Sequence, residues 1–282
     1  MKNKIVLITG ATSGIGKATA EALAKQGATI VFLARNKSKA DSVIEEIKSK
    51  TGNQNISFIE MDLGSLVSVK KAADEFKSKF KKLDVLINNA GGTFDKRQLS
   101  KDGFEWTFQV NYLSHFLLTN LLLDEIRSAG KARIINVSSG AQTMGKIGFD
   151  NLQGEKKYKG LSIYCNSKLM NIMFTYSLAE RLKGTGVTVN TLHPGVVKTD
   201  FGKGTTDGFI GFMVKYMRFM MIPVEKGAAT SIYLASSPEV ENVTGKYFSK
   251  KKTIASNKQS YDVAIRKQLW EVSEEMVRQY LN

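Results

Sequence analysis

The chain has 282 residues, 42% hydrophobic and 24% charged, with a formal net charge of +15. That is enough sequence for one large domain with a full core, expected over 1–282, and no apolar run approaches the roughly eighteen residues of a membrane span. A single cysteine, Cys165, and two histidines exclude an internal disulfide and leave no zinc-ligand spacing, so no metal site is expected.

Residues 4–9 are a short apolar, β-branched run, the pattern of a buried parallel strand. Gly10-Ala11-Thr12-Ser13-Gly14-Ile15-Gly16 follows, and a helical pattern then runs over 17–26. A glycine-rich turn between strand and helix lets backbone approach a phosphate, and the first amides of the helix can bind it. A second strand over 28–34 ends at Arg35. Dinucleotide folds often place a carboxylate there for the ribose diol; this chain has a guanidinium, which suits a phosphate and favours NADP(H) over NAD(H).

Residues 38–50 read as a helix, 55–61 as a strand ending in Asp62-Leu63, and 65–80 as a helix that Ser65 caps. A fourth strand over 83–87 runs into Asn88-Asn89-Ala90-Gly91-Gly92. Residues 102–128 read as one long helix, in which Asn111 stands among apolar neighbours and His115 reads as a packing residue. A fifth strand over 131–139 ends in the hydroxyls of Ser138 and Ser139. A helix over 161–183 carries Tyr164 and Lys168 one turn apart, a phenol beside an ammonium. A sixth strand over 185–192 ends at His193-Pro194-Gly195, and helices are expected over 225–235 and 259–281. The alternation implies an α/β architecture, a doubly wound parallel sheet (Rossmann fold), with the strand ends named above on one rim.

Taken in order, Thr9-Gly10 to Gly16, Asp62-Leu63, Asn88 to Gly91, Asn111, Ser139, Tyr164 to Lys168 and Pro194-Gly195 resemble the short-chain dehydrogenase/reductase family across nearly the whole chain. Residues 108–118, 151–156, 178–183 and 245–248 look most like its retinol-dehydrogenase-like branch. The resemblance implies Tyr164 as acid/base, with Lys168 holding the nicotinamide ribose and lowering the tyrosine pKa. It gives Ser139 the bond to the substrate oxygen, leaving Ser138 to contact cofactor, and Asn111 a water of a proton relay. It assigns cofactor contacts to Gly10, Thr12, Ser13, Gly14, Ile15, Gly16, Arg35, Asp62, Leu63, Asn89, Ala90, Gly91, Pro194, Gly195, Val197 and Thr199. The expected activity is NADP(H)-dependent interconversion of a lipophilic alcohol and its carbonyl. The alternative is a nucleotide sensor without turnover.

Residues 200–224 are expected to cover the substrate. Within them, 209–222 repeat Phe, Met and Tyr at helical spacing, which suits a core helix, a lid or an interfacial membrane contact. The lysines are spread over many helices without a nucleic-acid module, so no nucleic-acid partner is expected. A cytoplasmic setting, with peripheral membrane association and homo-oligomers as further options, completes the expectation. A Ser-His-Asp hydrolase could be drawn from Ser139, His193 and Asp200, but no Gly-x-Ser-x-Gly elbow surrounds Ser139.

Overall fold

The computed structural model describes residues 1–197 and 221–281. Eight strands form one sheet in the order β3-β2-β1-β4-β5-β6-β7-β8. They are β1 (Ile5–Thr9), β2 (Thr29–Ala34), β3 (Ile56–Glu60), β4 (Val85–Asn88), β5 (Arg133–Val137), β6 (Thr188–His193), β7 (Lys246–Ser249) and β8 (Lys252–Thr253). All neighbours are parallel except β7 and β8.

The strands are apolar on both faces because each face meets its own core. Val6, Ile8, Ile30, Phe32 and Ile135 point into one cluster; the intervening Leu7, Val31, Leu33 and Ile134 point into the other. The first cluster lies beneath α1 (Gly14–Lys25), α2 (Lys37–Thr51) and α8 (Val224–Ser236). The second lies beneath α3 (Leu66–Lys79), α5 (Ser114–Leu121), α6 (Leu123–Ser128), α7 (Gly160–Arg181) and α9 (Val263–Leu281). This is the doubly wound arrangement expected.

Two expectations need correction, and two strands are added. The stretch 102–128 is not one helix. It starts with a short turn, α4 (Trp106–Phe108), passes through a π-helical turn (Gln109–Leu113), and is broken again at Leu122. Asp102, which reads as the start of that helix, instead accepts the Leu66 amide at 2.8 Å and helps to cap α3. Glu105 is the cap of the later start, taking the Phe108 amide. Strands β7 and β8 were not anticipated, since four residues and two residues flanked by lysines carry too little periodicity. The tail helix begins at Val263, after a 3-10 turn over Lys258–Tyr261. Thr199, Asp200 and the apolar segment 209–220 lie outside the described residues.

Candidate active site

The glycine-rich turn joins β1 to α1 at the carboxyl rim of the sheet. Ser13 caps α1 without a side-chain hydrogen bond, and no acidic residue stands in the first turn. The first amides of the helix therefore remain available to an anion. Gly16 is fixed by contact: a Cβ there would lie 2.3 Å from the Gly10 carbonyl oxygen and 2.5 Å from Asn89 Nδ2. Asn89 Nδ2 in turn donates to the Thr9 carbonyl at 2.9 Å, which ties the end of β4 to the turn.

A cavity of about 440 Å³ opens over this turn. Gly10, Thr12, Ser13, Gly14, Ile15 and Gly16 form one wall, Arg35 lies at the end of β2, and Asp62, Leu63, Asn89, Ala90 and Gly91 line the rest. Trp106 and Val110 also line it, and nothing in their sequence spacing marks them as cofactor residues. Arg35 is exposed. The Asp62 carboxylate opposite accepts the Gly64 amide at 2.9 Å and Lys101 Nζ at 3.1 Å. Although burial opposes it, these bonds hold its pKa below the usual carboxylate value. Open helix amides, a close backbone approach and a guanidinium at the ribose end fit a dinucleotide.

The groups expected to carry the chemistry lie beyond Gly91. A Cβ on Gly91 would sit 3.0 Å from Asn111 Oδ1 and 3.3 Å from Lys168 Nζ, so the cavity wall touches both. Lys168 is buried and donates to the Val137 carbonyl at 3.1 Å. Its ammonium is 5.8 Å from the centre of the Tyr164 ring. The Ser139 hydroxyl hydrogen-bonds Tyr164. Ser138 is buried, and its hydroxyl donates to the Lys168 carbonyl at 2.7 Å. Pro194, Gly195 and Val197 leave the end of β6, and Val197 pairs with Ile222 in an isolated parallel bridge. These three residues, like Ser139, Tyr164 and Lys168, lie outside the cavity lining.

The electrostatics differ from expectation. Burial pushes the Tyr164 phenol up to about 12, against the lowering effect of its bond to Ser139. Burial pushes the Lys168 ammonium down to about 8. In the protein alone, desolvation therefore outweighs the attraction that was expected to lower the tyrosine.

Asn111 sits in the π-helical turn. Its Oδ1 accepts the Gly92 amide at 2.8 Å, and its Nδ2 donates to the Gly92 carbonyl at 2.9 Å and to Ser167 Oγ at 3.0 Å. The side chain thus pins the loop after β4 to α7, and Oδ1 keeps one further acceptor position. His115 is buried beside it and neutral, with a pKa of about 4 caused mainly by burial. Thr9 Oγ1 already accepts the Asn89 and Ala90 amides, both at 2.9 Å. Its proton therefore goes to His115 Nε2 at 3.0 Å, which leaves Nδ1–H to face the Asn111 carbonyl at 3.3 Å.

The hydrolase arrangement is brought together only in part. His193 does lie beside the Ser139 turn, but its Nδ1 accepts the Gly140 amide at 2.9 Å. A triad histidine must donate from Nδ1 to a carboxylate, so this ring is wired the other way. Among the described residues, no group of His, Cys, Asp and Glu is arranged to hold a metal ion, and no helix is long and apolar enough to cross a membrane.

A doubly wound sheet with an anion-ready first turn and a Tyr/Lys/Ser cluster at its rim defines a nucleotide-binding oxidoreductase site. The short chain dehydrogenase family model matches residues 4–208, and the chain belongs to that family. It is 42% identical to human retinol dehydrogenase 14, over 98% of this chain and 87% of that protein. It is 40% identical to human retinol dehydrogenase 11, over 97% and 85%. A crystal structure of an uncharacterised protein from Mycobacterium paratuberculosis superposes with a TM-score of 0.79 at 28% identity, covering 98% of this chain and 94% of that one. A short chain dehydrogenase from Burkholderia cenocepacia in complex with NADP gives a TM-score of 0.69 at 26% identity, over 88% and 96%. The chain is thus an oxidoreductase of the retinol-dehydrogenase-like kind.

Proposed function

We propose that the protein is an NADP(H)-dependent oxidoreductase that interconverts a lipophilic alcohol and its aldehyde or ketone. The observation that carries this reading is the convergence of Ser139, Tyr164 and Lys168 just past Gly91, at the end of the nucleotide cavity. Tyr164 gives a proton to the substrate oxygen during reduction and takes it back during oxidation. Ser139 bonds the same oxygen and fixes its distance from the phenol. Lys168 holds the nicotinamide ribose and keeps a positive charge near the developing oxyanion. Asn111 pins the loop beneath and offers its free Oδ1 position to a water. The glycine-rich turn binds the pyrophosphate, Asp62 and Leu63 meet the adenine, and Pro194, Gly195 and Val197 flank the nicotinamide. Bound there, the nicotinamide supplies or accepts the hydride.

Arg35 supports the phosphorylated cofactor, because no carboxylate stands at the end of β2 to hold a free ribose diol. An apolar, retinoid-like substrate accords with the names of the relatives. The test is a panel of aldehydes and ketones, all-trans-retinal included, assayed with NADPH and with NADH. NADPH oxidation at least about tenfold faster than NADH oxidation is expected, and Arg35→Ala should erase most of that preference, since a bidentate phosphate contact is lost. Tight NADPH binding with no oxidation across the panel would instead favour a sensor.

A further inference from the structure

The peptide between Ser139 and Gly140 has both of its polar groups held by side chains from elsewhere in the sheet. Its carbonyl, on Ser139, accepts the Tyr247 hydroxyl of β7 at 3.2 Å. Its N–H, on Gly140, donates to His193 Nδ1 at the end of β6, at 2.9 Å. A Cβ on Gly140 would lie 3.2 Å from His193 Nε2 and 3.4 Å from Cε1, so the bare glycine lets the imidazole close over it. Tyr247 is buried, and its hydroxyl also bonds the Gln142 side chain. That bond lowers the Tyr247 pKa against the effect of burial, so it is the Gln142 nitrogen that donates to the phenol oxygen. The single proton of Tyr247 is then committed to Ser139.

We infer that His193 and Tyr247 are positioning residues that clamp the Ser139–Gly140 peptide and thereby set the direction of the Ser139 hydroxyl. The inference rests on the reading of Ser139 as the group that bonds the substrate oxygen. The link from clamp to hydroxyl is short. Ser139 Oγ accepts the Ala141 amide at 3.2 Å, inside the turn that the clamped peptide begins, and bonds Tyr164 on its other side. Loss of either hold would free that turn to shift, and with it the Ala141 amide that Oγ accepts. Neither clamping side chain needs to touch substrate or cofactor to act in this way.

The clamp demands a definite histidine tautomer. Because Nδ1 of His193 accepts, its proton must reside on Nε2, whereas His115 carries its proton on Nδ1. The chain has two histidines, so a ¹⁵N-histidine spectrum of the whole protein resolves them. Two neutral rings of opposite tautomer are expected at pH 7.5, assigned through His193→Asn. A proton on Nδ1 of His193 would overturn the clamp without any assay of activity.

Kinetics give the second arm, measured with NADPH and all-trans-retinal or the fastest carbonyl of the panel. His193→Phe and Tyr247→Phe should each lower kcat by about ten- to a hundredfold while leaving NADPH affinity, read by fluorescence, within about twofold. The double variant should fall little below the worse single one, because both act through one peptide. His193→Asn, which offers Oδ1 where Nδ1 stood, should restore most of the rate. Full additivity, or Asn no better than Phe, would count against the clamp. Ser139→Ala separates the two ideas: full activity there sinks the role of Ser139, whereas loss there with intact His193 and Tyr247 variants sinks only the clamp.

Discussion

With Tyr164 at about 12 and Lys168 at about 8, the pair at neutral pH is a protonated phenol beside a charged ammonium. The phenol therefore starts as a proton donor, the form that carbonyl reduction needs. For alcohol oxidation the phenolate must form first, and a cationic nicotinamide nearby would favour it. Tyr164→Phe keeps the ring and deletes the proton. Turnover should fall by at least about a thousandfold, while NADPH affinity, measured by fluorescence titration, stays within about threefold. A variant that retained a tenth of the rate would remove Tyr164 from the chemistry. At this scale the sequence was informative where spacing is local. Tyr164 and Lys168 are four residues apart, whereas the choice of Ser139 over Ser138 rested on the family resemblance. The wiring of His193 was not legible, because its shorter bond is to Gly140, 53 residues away in the chain.

Among the elements, α9 shows how an amphipathic helix becomes structural. Trp270 packs against Phe116 at 4.9 Å and Phe174 at 5.8 Å between ring centres, and the Arg181 guanidinium lies 4.0 Å over its ring. Ser273 adds a hydrogen bond to the buried Tyr112 hydroxyl at 2.7 Å. The helix thus seals the larger core against α3, α5 and α7. Trp270→Ala should cost about 3–5 kcal/mol of stability, read as a fall in the urea midpoint. Trp270 Nε1 has no hydrogen-bond partner among the described residues, so Trp270→Phe should cost under half as much. Equal losses in the two variants would show that the indole nitrogen matters more than ring area. The element pattern was readable wherever a strand is buried on both faces, since such runs are apolar throughout. It failed at the π-helical turn, because residues 107–119 are buried on every side and show no stripe for an extra residue to shift, and at β7, which is too short to show a period.

Across the whole molecule, the buried histidine sets a pH dependence of stability. His115 titrates at about 4 when folded, against 6.5 for an ordinary histidine. As pH falls through 6.5 the unfolded chain takes up the proton first, so stability decreases and the loss is complete near pH 4. The difference amounts to on the order of 3 kcal/mol. His193, also lowered by burial, acts in the same direction. Urea midpoints measured between pH 7 and pH 4 should fall accordingly, and His115→Leu should flatten that slope whatever it costs at pH 7. An unchanged slope in the variant would place the acid sensitivity elsewhere.

The clamped peptide also has a consequence for how the protein is made. Tyr247 bonds a carbonyl 108 residues behind it, and α9 covers helices that leave the ribosome long before it does. During synthesis the sheet through β6 can assemble around its first core, but the turn bearing Ser139 lacks one of its two anchors until β7 has emerged. The larger core likewise keeps Phe116 and Phe174 uncovered until α9 arrives. The nascent chain therefore passes through a stage in which the glycine-rich turn is already framed while the Ser139 hydroxyl is unset and an aromatic face is open to water. Setting of the Ser139 turn and closure of the larger core both wait for β7 and α9.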